Sequence, residues 1–214
     1  LFSANYPSRL AMADAFITLH SKDPYTFFLD REHNQTERFS VIGASAGLVS
    51  NLRDSLAGFE VEDVEFPFSF RPGLVGAYSY EGEELFMLVD RAIVFDHAAS
   101  RVYFVGVFEN EKDFQHWEQA ALLRLALIGG EGAVYRNSNP VGQLDSSVVT
   151  YRHSDSEYIS LIESAKEFIA NGDAYQLCLT NQISIETGVD PFAVYLKLRE
   201  INPAPYSSYI RLGD

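Results

Sequence analysis

Residues 172–214 read GDAYQLCLTNQISIETGVDPFAVYLKLREINPAPYSSYIRLGD, and the order of signals in this stretch decides the fold class. From Tyr175 to Ile185 the odd positions Tyr175, Leu177, Leu179, Ile183 and Ile185 are apolar, Asn181 excepted. The even positions are Gln176, Cys178, Thr180, Gln182 and Ser184. A period of two predicts a half-buried strand. Asp190-Pro191 then offers a cap and a proline at the first position of a helix. Asn202-Pro203 closes that helix, and Tyr206–Leu212 is a final strand. Asp214 follows Leu212-Gly213, where a strand has just ended, so a larger protein is expected to be severed here.

Upstream, Ser154 and Glu157 fit a capping box. Tyr158, Leu161, Ile162, Ala165, Phe168 and Ile169 then form an apolar helical stripe that Asn171-Gly172 stops. Residues 129–150 are rich in Gly, Ser, Asn and Pro and read as a linker or long loop, with Pro140–Leu144 inside it showing no periodicity. This divides the chain into domains 1–145 and 146–214. Residues 111–128 predict a helix with Phe114, Trp117, Ala121, Leu125 and Ile128 on one face, ended by Gly129-Gly130.

Phe86–Asp96 predicts one strong strand, with Arg101–Phe108 as its antiparallel partner across His97–Ser100. Gly73–Glu81 is a strand whose two glycines predict a bend or a close backbone approach. Phe66–Phe70 contains Pro67 and reads as an irregular edge piece, and Asn51–Leu56 admits a short helix within a mixed stretch. Tyr25–Leu29 and Arg38–Gly43 form a hairpin around the polar turn 33–36. Residues 8–20 predict a helix with Leu10, Ala13, Phe16 and Ile17 on one face and Pro7-Ser8 at its cap. Strands outnumber helices and hairpin signals recur, so the expected class is α+β, mostly antiparallel sheets flanked by helices.

Of the 214 residues, 47% are hydrophobic and 14% aromatic, enough for a sizeable core. The formal charge of −14 repels nucleic acid and anionic membranes. The single cysteine, Cys178, excludes an internal disulfide and a multi-cysteine metal site, and a reducing cytoplasmic setting is expected. No apolar run approaches the ~18–20 residues that span a membrane. Leu1 reads as the start of a processed piece without a signal peptide.

Catalytic signatures are sparse. Gly43–Gly47 (GASAG) follows a strand but lacks the lysine and the glycine spacing of a phosphate loop. Asp96-His97 reads as a pair of turn residues in which Asp bonds its own backbone, rather than as a carboxylate-oriented imidazole. Cys178 reads as a buried structural thiol, because no nearby His or Lys lowers its pKa. Asp173 suits a turn. Gln176, Thr180 and Asn181 either line a polar cavity or face solvent. Pro203 and Pro205 fix two φ angles and present Tyr206 in a set direction, either as a turn or as a pocket wall.

The ordered set GDAYQLCLTNQ, Asp190-Pro191-Phe192, Leu196-x-Leu198-Arg199 and NPAPYSSYIRLGD resembles the large subunits of the chorismate-utilising family. These are anthranilate synthase component I and aminodeoxychorismate synthase component I. Further matches are RFSVIG at 38–43, GLVGAYSYE at 73–81 and DRAIVFDH at 90–97, so the resemblance covers nearly the whole chain. Leu177–Asn181 is more similar to the aminodeoxychorismate branch, especially the type fused to its glutamine amidotransferase.

The resemblance implies the N-terminal part of that fold and a parent enzyme that adds ammonia to chorismate with Mg²⁺. The ammonia would come from a glutamine amidotransferase, as a partner subunit or a fused domain. The family's catalytic lysine, general-acid glutamate and metal-binding glutamates belong to its C-terminal half. No catalytic or metal residue is therefore assigned here, and the chain alone is expected to be inactive. Anthranilate synthase, a salicylate- or isochorismate-forming relative, and a non-catalytic ligand-binding or amidotransferase-docking module are the alternatives. The resemblance also implies a regulatory or structural ligand pocket between Leu29-Asp30-Arg31 and Asn202–Tyr206, with Asp30, Arg31, Pro203 and Tyr206 as its residues. Family members hold tryptophan there and commonly carry serine at the position of Arg31. The bulky cation is expected to fill the space and repel an amino group.

Overall fold

A computed structural model describes residues 1–33, 38–57, 64–128, 130–140 and 149–213. The chain forms two compact units. One comprises Leu1–Pro140 together with Pro191–Asp214, and the other Val141–Asp190. The 145/146 boundary expected from composition falls outside the described residues. The last segment of the expected second domain, α6 (Pro191–Ile201) and β10 (Ser207–Leu212), belongs to the first unit. Composition marks where a chain is loosely patterned, whereas strand pairing decides where it packs.

The first unit is built on a six-stranded sheet ordered β1-β7-β6-β3-β2-β10, with β1 Phe2–Pro7, β2 Tyr25–Asp30, β3 Phe39–Ala44, β6 Arg91–Asp96 and β7 Arg101–Gly106. Every neighbouring pair is antiparallel. The expected hairpins β2–β3 and β6–β7 are present. Its central strands are buried on both faces, which explains their unbroken apolar runs. Phe28, Ile42, Ile93 and Phe104 face α1 (Met12–His20), α3 (Glu111–Ala126) and α6, in a core that includes Phe16, Phe114 and Phe192. Phe27, Val41, Val94 and Val105 face a second core with Phe68, Met87 and Val89.

Phe86–Asp96 is not one strand. It divides at Asp90 into β5 (Glu84–Val89), paired with β4 (Gly73–Tyr78) in a separate two-stranded sheet, and β6 of the large sheet. Alternation continues through such a corner, so the pattern cannot show it. The Asp90 carbonyl accepts from Val107 N–H at 2.8 Å, which keeps the corner satisfied. In β4, a Cβ at Gly76 would lie 2.0 Å from the Leu85 carbonyl oxygen, so this is the close approach that the glycines predicted.

Helix α1 starts at Met12, four residues later than Pro7-Ser8 suggested, from an Ala11 cap without a side-chain bond. Ser8 Oγ accepts from Leu10 N–H at 3.1 Å and turns the chain ahead of the helix. The short helix α2 (Leu52–Leu56) is capped by Asn51, and α3 by Asn110, whose side chain accepts from Asp113 N–H. The expected loop at 129–150 contains a helix, α4 (Glu131–Ser138), that starts after Gly130 at φ 95°. Its weak pattern is carried by tertiary contact, with Tyr135 edge-on to Phe192 at 5.9 Å. Pro140–Leu144 lies mostly outside the described residues.

In the second unit, α5 (Asp155–Ala170) carries the complete capping box of Ser154 and Glu157. Its stripe is not a core face within this unit: Ala165 is buried, but Phe168 is 53% and Ile169 44% exposed. The long strand expected at 175–185 is reduced to β9 (Ile183–Ile185), paired with β8 (Val149–Tyr151). Alternation creates a strand only where a ladder partner exists, and β8 supplies three residues of one. Cys178 is exposed, contrary to the buried thiol expected from that strand. Asn181 is exposed and bonds both backbone groups of His153, while Gln176 and Thr180 face solvent.

Candidate functional site

Asp30 ends β2, a strand that is otherwise apolar except for Thr26, and is 1% exposed. A carboxylate in such a place needs a counter-charge. Helix α6 supplies it: Tyr195 and Arg199 lie four residues apart and so share one face. Arg199 Nε donates to Asp30 Oδ2 at 2.8 Å, and Tyr195 Oη donates to the same oxygen at 3.3 Å. Glu32 N–H donates to Oδ1 at 3.0 Å. Arg199 also pairs with Glu32 through Nη2.

Burial is the largest influence on Asp30 and pushes its carboxyl up, but the bonds from Arg199 and Glu32 N–H and the Arg199 charge outweigh it, so the group stays below the usual range. For Arg199, burial likewise acts against the charge, and Asp30 and Glu32 together raise its pKa. Burial pushes the Tyr195 phenol up to about 12. The site holds its charges as a locked network.

The register Ser207↔Asp30 brings the start of β10 beside this network. Arg31 Nη1 donates to the Asp30 carbonyl at 2.8 Å and to the Ser207 carbonyl at 3.4 Å. Its guanidinium lies 4.4 Å from the centroid of the Tyr206 ring. Of the four expected pocket residues, Asp30, Arg31 and Tyr206 are thus brought together, while Pro203 lies exposed in the turn before β10. Tyr195, Arg199, Ser207 and Glu32 were not singled out as pocket residues from sequence. The signal that could have found them is the lone acid at the end of an apolar strand, which demands a cation.

Asp96 is a turn residue: Oδ1 accepts from Ala98 N–H at 3.1 Å and Ala99 N–H at 2.9 Å, and Oδ2 from Arg38 at 2.9 Å. His97 turns away from it to Ser40, with Nε2 2.7 Å from Oγ. Ser40 Oγ also accepts from Arg31 N–H at 2.8 Å, so it links the end of β2 to the imidazole. Burial lowers the His97 pKa and so favours the neutral ring. His97, Glu32 and Arg199 line a cleft of about 380 Å³ beside the start of α1. Ser45, in the GASAG turn, is committed to the Leu88 carbonyl at 2.7 Å.

The sequence profile described as chorismate binding enzyme matches residues 66–214. The chain belongs to the chorismate binding enzyme family. It is 30% identical to an aminodeoxychorismate synthase of Streptomyces griseus over 179 residues, covering 76% of this chain and 24% of that protein. The aminodeoxychorismate synthase of Streptomyces pristinaespiralis is 27% identical, over 92% of this chain and 34% of its own length. An anthranilate synthase component 1 from Methanothermobacter thermautotrophicus is 25% identical, over 94% and 48%. The crystal structure of anthranilate synthase component I from Streptococcus pneumoniae superposes with a TM-score of 0.55 at 19% identity, covering 79% of this chain and 46% of that one, and so shares the fold. The chain spans about a quarter to a third of the first two relatives' lengths.

Proposed function

We propose that the chain is the N-terminal portion of an aminodeoxychorismate synthase large subunit, which aminates chorismate to 4-amino-4-deoxychorismate for p-aminobenzoate and folate synthesis. The family match over 66–214, together with aminodeoxychorismate synthases at 30% and 27% identity, carries this reading. Ammonia would be delivered by a glutamine amidotransferase, as a subunit or a fused domain, in the cytoplasm. Among the described residues no helix is long and apolar enough to cross a membrane.

Mg²⁺ is proposed for the parent enzyme alone. Among the described residues no three His, Cys, Asp or Glu side chains are grouped as a metal ion would require. No catalytic residue is assigned within 1–214. The isolated chain, given chorismate, ammonium and Mg²⁺, is expected to form no aminated product by chromatography. Turnover would overturn the proposal that the chemistry lies outside it. Anthranilate synthase is the second reading, supported by relatives near 25% identity. Anthranilate produced by the native full-length protein would favour it.

We further propose that Arg31 takes the place of an amino-acid ligand between Asp30 and Tyr206. The cation over the Tyr206 ring supports this. Calorimetry with tryptophan is expected to show no micromolar binding to the chain, and Arg31→Ser to admit it. Micromolar affinity without the substitution would contradict the proposal.

A further inference from the structure

A second cavity, of about 160 Å³, lies between α1, α3 and strands β3 and β6. None of its lining residues belongs to the Asp30–Arg199 network. Five of its twelve lining positions are Gly or Ala, so the space exists because the side chains around it are short. Interiors are otherwise packed like organic crystals, and an apolar hole left open costs stability. Ile42, Ile93 and the Trp117 indole supply apolar walls.

Three basic side chains, His20, Arg91 and Arg124, stand among the lining residues. Arg91 is neutralised by Asp90, to which it donates at 2.9 and 2.6 Å. His20 Nδ1 is paired with Asp23 at 3.0 Å. Arg124 differs: its hydrogen bonds among the described residues go to the neutral carbonyl oxygens of Thr18 and Leu19, the latter at 3.2 Å. Burial lowers the His20 pKa, Asp23 acts against it, and the charge of Arg124 adds a smaller lowering. Arg124 also lines a broader groove of about 790 Å³ along α1 and α4, which places it at the junction of the two spaces.

We propose that this pocket binds a small aromatic carboxylate, with the ring against Trp117 and the carboxylate at Arg124. A dry cavity of ~150 Å³ takes up benzene, so the volume suits one ring. The Arg124 guanidinium, which has no ion pair among the described residues, selects the acid over a neutral analogue. The inference is independent of the reaction proposed above.

Trp117 is the sole tryptophan of the chain, so its fluorescence reports on the pocket directly. Titration of the full chain with benzoate is expected to give a saturable change with a Kd on the order of 0.1–1 mM, as befits a ligand of this size. Benzyl alcohol is expected to bind at least about fivefold more weakly, and Arg124→Gln to weaken benzoate about tenfold. Ala121→Leu fills the space and is expected to abolish saturation while keeping the thermal midpoint. Arg124→Gln, on an exposed residue, keeps the test decisive if Ala121→Leu fails to fold. The proposal is overturned by an absence of saturable change with benzoate, by benzyl alcohol binding equally well, or by Arg124→Gln binding like the parent chain.

Discussion

Replacing Arg199 by Met removes the cation from Asp30 while keeping an apolar stem of similar length. Asp30 is 1% exposed, so the substitution strands a carboxylate in the core. Breaking a buried pair from one side costs about 3–5 kcal/mol. Asp30 keeps Glu32 N–H at 3.0 Å and Tyr195 Oη at 3.3 Å, which argues for the lower figure, about 3 kcal/mol at pH 7. About 1 kcal/mol of that is independent of the Asp30 charge, since Arg199 also lies 5.6 Å from the Phe28 ring centroid. In the unsubstituted chain the depressed Asp30 pKa gives stability that is present above the unfolded value of ~3.9 and lost as pH falls through the folded value. In Arg199→Met burial, the largest influence, is opposed only by the bonds from Glu32 N–H and Tyr195 Oη, so the pKa rises and the penalty grows as pH rises above ~3.9. The difference measured by urea unfolding should therefore shrink from about 3 kcal/mol at pH 7 to about 1 kcal/mol near pH 4. Adding Asp30→Asn should recover part of the loss, as a coupling of about 1.5 kcal/mol or more. A cost below about 1 kcal/mol at pH 7, an equal cost at both pH values, or strict additivity would refute this account.

Two further outcomes follow from the same geometry. Gly76→Ala places a Cβ 2.0 Å from a backbone oxygen, and should cost about 1–3 kcal/mol and speed amide exchange in β4 and β5, with unchanged exchange counting against the close approach. His97 and His20 both have pKa values lowered by burial, so their contribution to stability is complete above the unfolded value of ~6.5 and is lost as pH falls below it. His97→Gln should flatten the loss of thermal midpoint between pH 7 and about pH 5.5, and an unaltered slope would exclude His97 as a source.

Much of the fold was legible because the signals were local. The β2–β3 and β6–β7 hairpins, the capping box at Ser154, the helix at 111–126 and the close approach at Gly76 rest on residues adjacent in sequence or in a ladder. The failures have one cause each. Period-two alternation at 175–185 was mistaken for a strand because it carries no information about a partner, and the Asp90 corner was invisible because alternation survives a bend. Helix α4 was missed because Gly, Asn and Ser hide it, and Tyr135 is held by Phe192, far away in sequence.

The candidate site divides in the same way. The family resemblance selected Asp30, Arg31 and Tyr206, but the partners that give Asp30 its charge state, Tyr195 and Arg199, are 165 and 169 residues away. Sequence by itself determined the class, the antiparallel elements and the family, since these follow from periodicity, caps and ordered motifs. Tertiary structure alone decided that α6 and β10 close the first unit, that Arg31 lies over Tyr206, and that the cation of α6 holds the acid of β2. Burial and counter-charge depend on which surfaces meet, and residues so distant along the chain meet only when it folds.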